Sequence, residues 1–515
     1  MFDYIMEKKT IYQYIIENLD AENENFTQNT LPDVPNPSIP QPLGSEEAMW
    51  FASRGFDDSK NLQLVYEGLQ KFLAAPDHLR KQNLYRILSN QPMITIGEDL
   101  CKKLQETRIT DVCYNLARNF FYNALHRGPV KFAYLIFGLY GTSRIEEEDP
   151  TLWEDMTKVA RCEEFTYYFM YACRLDNHKP NKDIWRIIGC TEGWGKVFAI
   201  EAANCKGQEQ ELWLIMHGME LSVDYPPLAM SILQKVNLLP YLNQPEQNEA
   251  LYKGYMDVLN FFLICLNNSE GHALEETLNT ARTNPAMLLA KAIENAHAFA
   301  DKPANVLQVI NLRFGIENIL YNPQLALIDS NLGQTLLAEC DSIIYVKDWE
   351  PYVREHLVEE DKLDFTLADF ACELDYDIWQ TLFDYFLEHP FCYEVLPYLL
   401  SYNEEEYQLK TIEQIEKNLP LYAGEEGALL VPLRYLGNNP GLGENIVIAG
   451  LTSIFDWPRG TACGVLDRWG PEYISEPIRA ALKEGRLLSR TPVVTARIEA
   501  VLTGEIFDME KMLGL

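Results

Sequence analysis

Long apolar runs are missing from this sequence. Segments such as Phe261 to Leu266 fall far short of the roughly 20 apolar residues that a membrane-spanning helix requires. Basic residues are scarce as well: 43 Lys and Arg stand against 76 Asp and Glu, giving a net charge of −33. A polyanion of this kind repels phosphate backbones and anionic headgroups, so nucleic acid and membrane surfaces are not expected as partners. The 11 cysteines are scattered singly, without a Cys-x-x-Cys pair, which excludes a zinc knuckle and argues against a disulfide framework. They read as reduced core thiols of a cytoplasmic chain, in keeping with an N-terminus, Met1 to Lys9, that lacks the features of a secretory signal.

The motifs of common chemistries are also missing. No two of the eight histidines fall at His-x-x-x-His spacing, and Glu294 to His297 is a lone Glu-x-x-His where a di-iron bundle needs two. Gly437 to Gly443 is glycine-rich but has neither the Lys-Ser/Thr of a phosphate loop nor the preceding strand of a dinucleotide site. A Gly-x-Ser-x-Gly elbow does not occur. No metal and no cofactor is expected.

What is present is helical periodicity from end to end. Leu62, Val65, Leu69, Phe72 and Leu73 form one apolar stripe, and Leu116, Ala117, Phe120, Phe121 and Leu125 another. Prolines such as Pro150, Pro285, Pro303 and Pro351 punctuate the pattern where a first helical turn tolerates them. Even the β-branched clusters Ile446-Val447-Ile448 and Val493-Val494-Thr495 fit helices. The expected fold is all-α, an α-solenoid or HEAT-like superhelix of antiparallel helix pairs, because many short helices without sustained heptads bury their faces by stacking. The expected organisation is an N-terminal amphipathic helix within residues 1–20, a proline-rich linker or arm over 21–45, and a repeat array over 46–340 and 341–515. Charge divides along the same line: Asp341 to Glu426 holds 22 acidic and 5 basic residues, whereas Arg80 to Lys131 holds 9 basic and 4 acidic.

Asp456-Trp457-Pro458-Arg459, set between an apolar helix and a second one with Ala462, Val465 and Leu466, resembles the turn of a HEAT repeat. In that reading Asp456 caps the second helix and Arg459 reaches a neighbouring turn. His126 to Phe132, followed by Gly138 and Gly141, and Trp185 with Gly193 to Val197 and Glu201, resemble blocks of an uncharacterised bacterial helical-repeat family. That resemblance implies a HEAT-like fold and assigns no catalytic residue.

The candidate binding residues are Arg118, His126, Arg127, Lys131, Trp194, Lys196, Trp213 and His217, cationic and aromatic groups suited to gripping a carboxylate or an acidic peptide if they share a groove. Equally, the two tryptophans suit helix packing. The leading expectation is a scaffold that binds a protein or peptide partner. The alternatives are an enzyme with His126 or His217 as general base beside Glu201 or Asp224, and an immunity-type inhibitor whose acidic stretch masks a basic partner.

Overall fold

The computed structural model describes residues 9–33, 42–52, 58–105, 109–244, 248–268, 284–322, 328–402, 404–422, 426–489, 492–505 and 507. The early part of the expected first helix, Pro35, Pro37 and Pro40 lie outside these residues. The chain is 74% helical, with 29 helices and almost no sheet among the described residues. The β-branched clusters lie in helices Glu444–Thr452 and Pro492–Thr503, so helical context overrides their strand preference.

Two compact units form. Unit 1 comprises Met1–Asp301 with Gln308–Ile344, and unit 2 comprises Lys302–Leu307 with Tyr345–Leu515. In unit 1 a continuous series of helices packs each on the next: Met93–Gln105, Arg127–Tyr140, Glu163–Leu175, Trp194–Ala202, Leu228–Lys235, Glu249–Asn267, Pro285–Ala296 and Ser330–Ile344. Asp111–Asn123 and Asn181–Ile188 pack beside members of this series. Because Arg127–Tyr140 has neighbours on several sides, Val130 through Phe137 are all buried, Lys131 included. A helix apolar nearly all round belongs in a core, and each large side chain so buried contributes roughly 1.5–3 kcal/mol.

Helix starts follow local chemistry. Asp149 accepts from the Leu152 amide ahead of Pro150, and Asn284 does the same for Ala286 ahead of Pro285, so proline opens the helix where no hydrogen bond is lost. Thr10 and Gln13 form a reciprocal capping box that starts helix Ile11–Glu17.

Unit 2 holds two interleaved series. Leu396–Ser401, Leu430–Leu436, Asp456–Trp469 and Pro492–Thr503 pack in succession, as do Glu405–Asn418, Glu444–Thr452 and Glu476–Leu488. One short hairpin, Val358–Glu359 with Lys362–Leu363, interrupts the helices. Its turn residues Glu360 and Asp361 both have positive φ, the conformation of a tight hairpin turn. The helical periodicity gave no sign of it.

Arg459 is fully buried and ties two turns together. It donates to the Ser453 carbonyl, to the Asp456 carboxylate and, at 3.1 Å, to the Leu488 carbonyl at the end of the adjoining helix. The N-cap of helix Asp456–Trp469 is Phe455, not Asp456; Asp456 stands one residue inside and uses its carboxylate on Arg459. Pro458 is buried and Trp457 half exposed. Arg459→Ala takes the donor from the partly buried Asp456 carboxylate and from two carbonyls, so it should cost unit 2 about 1–3 kcal/mol, seen as a lower denaturation midpoint of that unit in hydrogen exchange. An unchanged midpoint would remove Arg459 from the structural role.

Candidate functional site

The N-terminal segment determines the surroundings of the expected cations, because it packs along unit 1. Ile11 and Ile15 are fully buried, and the Ile11 amide donates to the Ala124 carbonyl at 2.8 Å. A tight loop, closed by the Leu19–Phe26 bridge, turns Glu24 onto two arginines: the carboxylate takes a forked contact from Arg186 and lies 3.3 Å from Nη1 of Arg161. Further on, Leu31 is buried and Asp33 accepts from both the backbone amide (2.7 Å) and the guanidinium of Arg127. Gly44 donates to Glu164, and its φ of +82° with Glu163 and Trp194 close by leaves no room for a side chain. That glycine delivers helix Ser45–Ala52, and with it Glu46 and Glu47, to Lys131.

Lys131 is the centre of this seam. Its ammonium lies 2.6 Å from Glu164, 2.7 Å from Glu47 and 3.4 Å from Glu46, with the Tyr168 ring 5.4 Å away. Arg127 adds a 2.8 Å contact to Glu164. Asp33, Glu47 and Glu164 are nearly inaccessible, so three buried carboxylates share two cations. One carboxylate is in excess, and Glu47 carries the burden: burial raises its pKa to about 6, although Lys131 opposes the rise and Glu164 and Glu46 add to it. Glu164, also buried but held by Lys131 and Arg127, shifts the other way. Glu46, Glu47 and Glu164 are close enough together to hold a metal ion, but the Lys131 ammonium occupies that position.

The other expected residues fall into separate environments. Lys196 donates to the Glu220 carbonyl at 2.8 Å and lies over the Trp213 ring, while His217 contacts both Trp213 and the Glu220 carboxylate. Trp213 meets Trp185 edge-on, and Trp194 packs on Tyr225 and Phe198. Arg118 pairs with Asp149 at 2.9 Å. His126 shares a 2.8 Å hydrogen bond with the Tyr85 hydroxyl. Arg127 and Lys131 are thus brought together, as are Lys196, Trp213 and His217, and each cation of the set already has an internal acceptor. Glu201, the carboxylate expected to assist a histidine base, lies near Lys235 in a cavity of about 470 Å³ that His178 lines, not His126 or His217.

Two cavities in unit 1 have the character of binding sites, and sequence reading named neither. One, about 440 Å³, lies between the N-terminal segment and the body, with Arg161 in its wall. The other, about 590 Å³, is a cleft where helices Glu249–Asn267 and Pro303–Tyr321 meet, and its lining residues belong to unit 1. Gly315 permits the close approach of these helices, since a side chain there would collide with Leu263. The cleft is lined by amides, namely Asn260, Asn267, Asn268, Gln308, Asn311 and Asn318, interspersed with Phe261, Ile264 and Phe314.

No known protein family, curated protein or solved structure matches the chain. The chemistry of the cavities therefore carries the functional reading.

The amide cleft is unusual for so acidic a chain, because among the described residues Asp257 is the single charged group in its lining. Gln308 bridges Asp257 and Asn260, at 2.7 Å to each. Both Asn260 amide contacts go to Gln308, to its carbonyl and its side chain, and the buried Asn260 oxygen is left without a partner. A signal existed in the sequence: Asn260 and Asn267, like Asn311 and Asn318, are seven residues apart, which places each pair on one helix face. The acidic residues from Asp341 onward occupy mostly exposed positions, and no described helix is long and apolar enough to cross a membrane.

Lys131→Met should destabilise unit 1 by about 3–5 kcal/mol, because it abandons buried carboxylates. The double variant with Glu47→Gln should recover part of the loss, and thermal unfolding of both proteins checks this. Protonation provides a second test. Since the folded-state pKa of Glu47 lies above its ordinary value, its contribution is fully present below about 4.5 and is lost as pH rises through about 6. Protection of the Arg127 amide, which Asp33 holds, should therefore decline between pH 5 and 7 after correction for intrinsic exchange. Glu47→Gln should flatten that decline.

Proposed function

We propose that the chain is a helical-repeat scaffold of HEAT-like build that holds an extended segment of a partner protein in the amide cleft of unit 1. The observation that carries this reading is the Asn260–Gln308–Asp257 network with its unpartnered buried oxygen, set among amides and apolar side chains. A peptide backbone offers N–H and C=O groups in alternation, and carboxamides answer both without fixing the sequence. Phe314 and Ile264, both exposed, provide apolar contacts for alternate side chains of such a segment.

The helical-repeat build is supported by the serial packing of helices in each unit and by Arg459, which connects successive turns. Binding, not catalysis, is favoured because His126 and His217 are engaged by Tyr85 and Glu220 and line neither the amide cleft nor the Arg161 cavity. The net charge of −33 favours a partner segment that is neutral or basic. Asp257, raised to about 6 mainly by burial, is the group that a basic side chain in the cleft would meet, and its attraction grows above that pH.

The test is selection of random peptides on the purified full chain, followed by titration of the winners against a cleft variant. Asn311→Arg with Phe314→Ala changes exposed positions only, so the fold should persist while affinity for selected peptides falls about tenfold or more. Peptides that bind wild type and variant equally would move the site elsewhere.

A further inference from the structure

The cavity between the N-terminal segment and the body of unit 1 contains a charged group with unfinished business. Arg161 has a side chain only 2% exposed and a single ion-pair contact, from Nη1 to a Glu24 already engaged by Arg186. Its Nε and Nη2 are buried and have no hydrogen-bond partner. Those two nitrogens form the edge of the guanidinium that matches the two oxygens of a carboxylate. Leaving them unserved is costly in a folded protein, and Arg161 lines a cavity of about 440 Å³, within the roughly 300–1,000 Å³ of small-ligand sites.

The remaining lining narrows the ligand. The Asn25 side-chain oxygen is buried without a partner and can accept a hydrogen bond, and the Ser222 hydroxyl adds a donor-acceptor. Glu163 and Glu192 also line the cavity. The Glu163 carboxylate accepts from the backbone amides of Glu192, Gly193 and Gly195, at 3.0, 2.7 and 3.2 Å, so it is fixed in place. A phosphate, with its higher charge, meets repulsion from both glutamates. A carboxylate that carries an N–H on the adjacent carbon meets Arg161 at one end and acceptors at the other.

We propose that this cavity is a binding site for an α-carboxylate bearing an α-nitrogen, the group shared by a free amino acid and the C-terminal residue of a peptide. Arg161 grips the carboxylate through Nε and Nη2, and the nitrogen faces Asn25 and the glutamates. The site is independent of the amide cleft: its residues come from the N-terminal segment and from the chain around 161–163, 190–192 and 222.

Calorimetric titration of the full-length chain tests this with L-alanine, N-acetyl-Ala-Ala with a free carboxylate, the same peptide as its C-terminal amide, and inorganic phosphate. At least one of the two carboxylate probes should bind, and the amide should bind about tenfold more weakly or not at all. Tighter binding of alanine identifies a free amino acid as the source, and tighter binding of the acetylated peptide identifies a chain terminus; both support the site. Arg161→Lys keeps the charge and loses the fork, so it should weaken the binding probe about tenfold. Ser222→Phe, which fills the cavity from an exposed position, should abolish binding and stands in if the Arg161 variant fails to fold. Absence of binding by both carboxylates, equal binding of acid and amide, phosphate binding as tight as the carboxylates, or retained affinity in either folded variant would overturn the proposal.

Discussion

Burial of the Lys131 ammonium is the constraint on which the arrangement of unit 1 depends. The helix that carries it is packed on several sides, so the charge has no route to water and must be neutralised from within. Glu164, from the next helix of the series, provides one carboxylate, and Glu47, brought by the N-terminal segment, provides another. The segment is therefore integral to unit 1: removing it exposes Lys131 to an incomplete set of partners. Asp33 on Arg127 and Glu24 on Arg161 and Arg186 repeat the same logic along its length.

This seam also shows how the same residue types serve opposite ends. Arg127 and Lys131 have the chemistry to grip an acidic peptide, and they do grip one, but it belongs to the same chain. Arg161 differs because Glu24 is shared with Arg186 and cannot satisfy the whole guanidinium. A cavity persists beside the one cation of the seam whose fork is unserved, and there the seam becomes a binding site instead of a fastening. The amide cleft reaches a similar state by another route, through an Asn260–Gln308 pair that leaves the Asn260 oxygen without a partner.

How much of this was legible in the chain can be judged residue by residue. The all-α class followed from periodicity, and Arg459 reaching a neighbouring turn followed from the likeness to a HEAT turn, but Asp456 was read as a helix cap and instead pairs with Arg459. The hairpin at 358–363 was not legible, since two residues per strand are too few to register an alternation. Of the candidate site residues, Arg127 and Lys131 share a helix turn and were naturally grouped, but their acceptors lie 84 to 94 positions away or on another helix. Arg161 was passed over because a lone arginine in Arg161-Cys162-Glu163-Glu164 reads as an ordinary solvated charge.

The sequence by itself determined the helical class, the helix starts at Pro150 and Pro285, and the acidic character of the chain. These depend on interactions within a few residues or on sums over the chain, and both are visible in one dimension. The tertiary structure alone decided which cations are spent internally and which amides line a cleft. The reason is physical: a buried charge takes its partner from whatever element packs against it, and that pairing across more than 80 positions leaves no local trace.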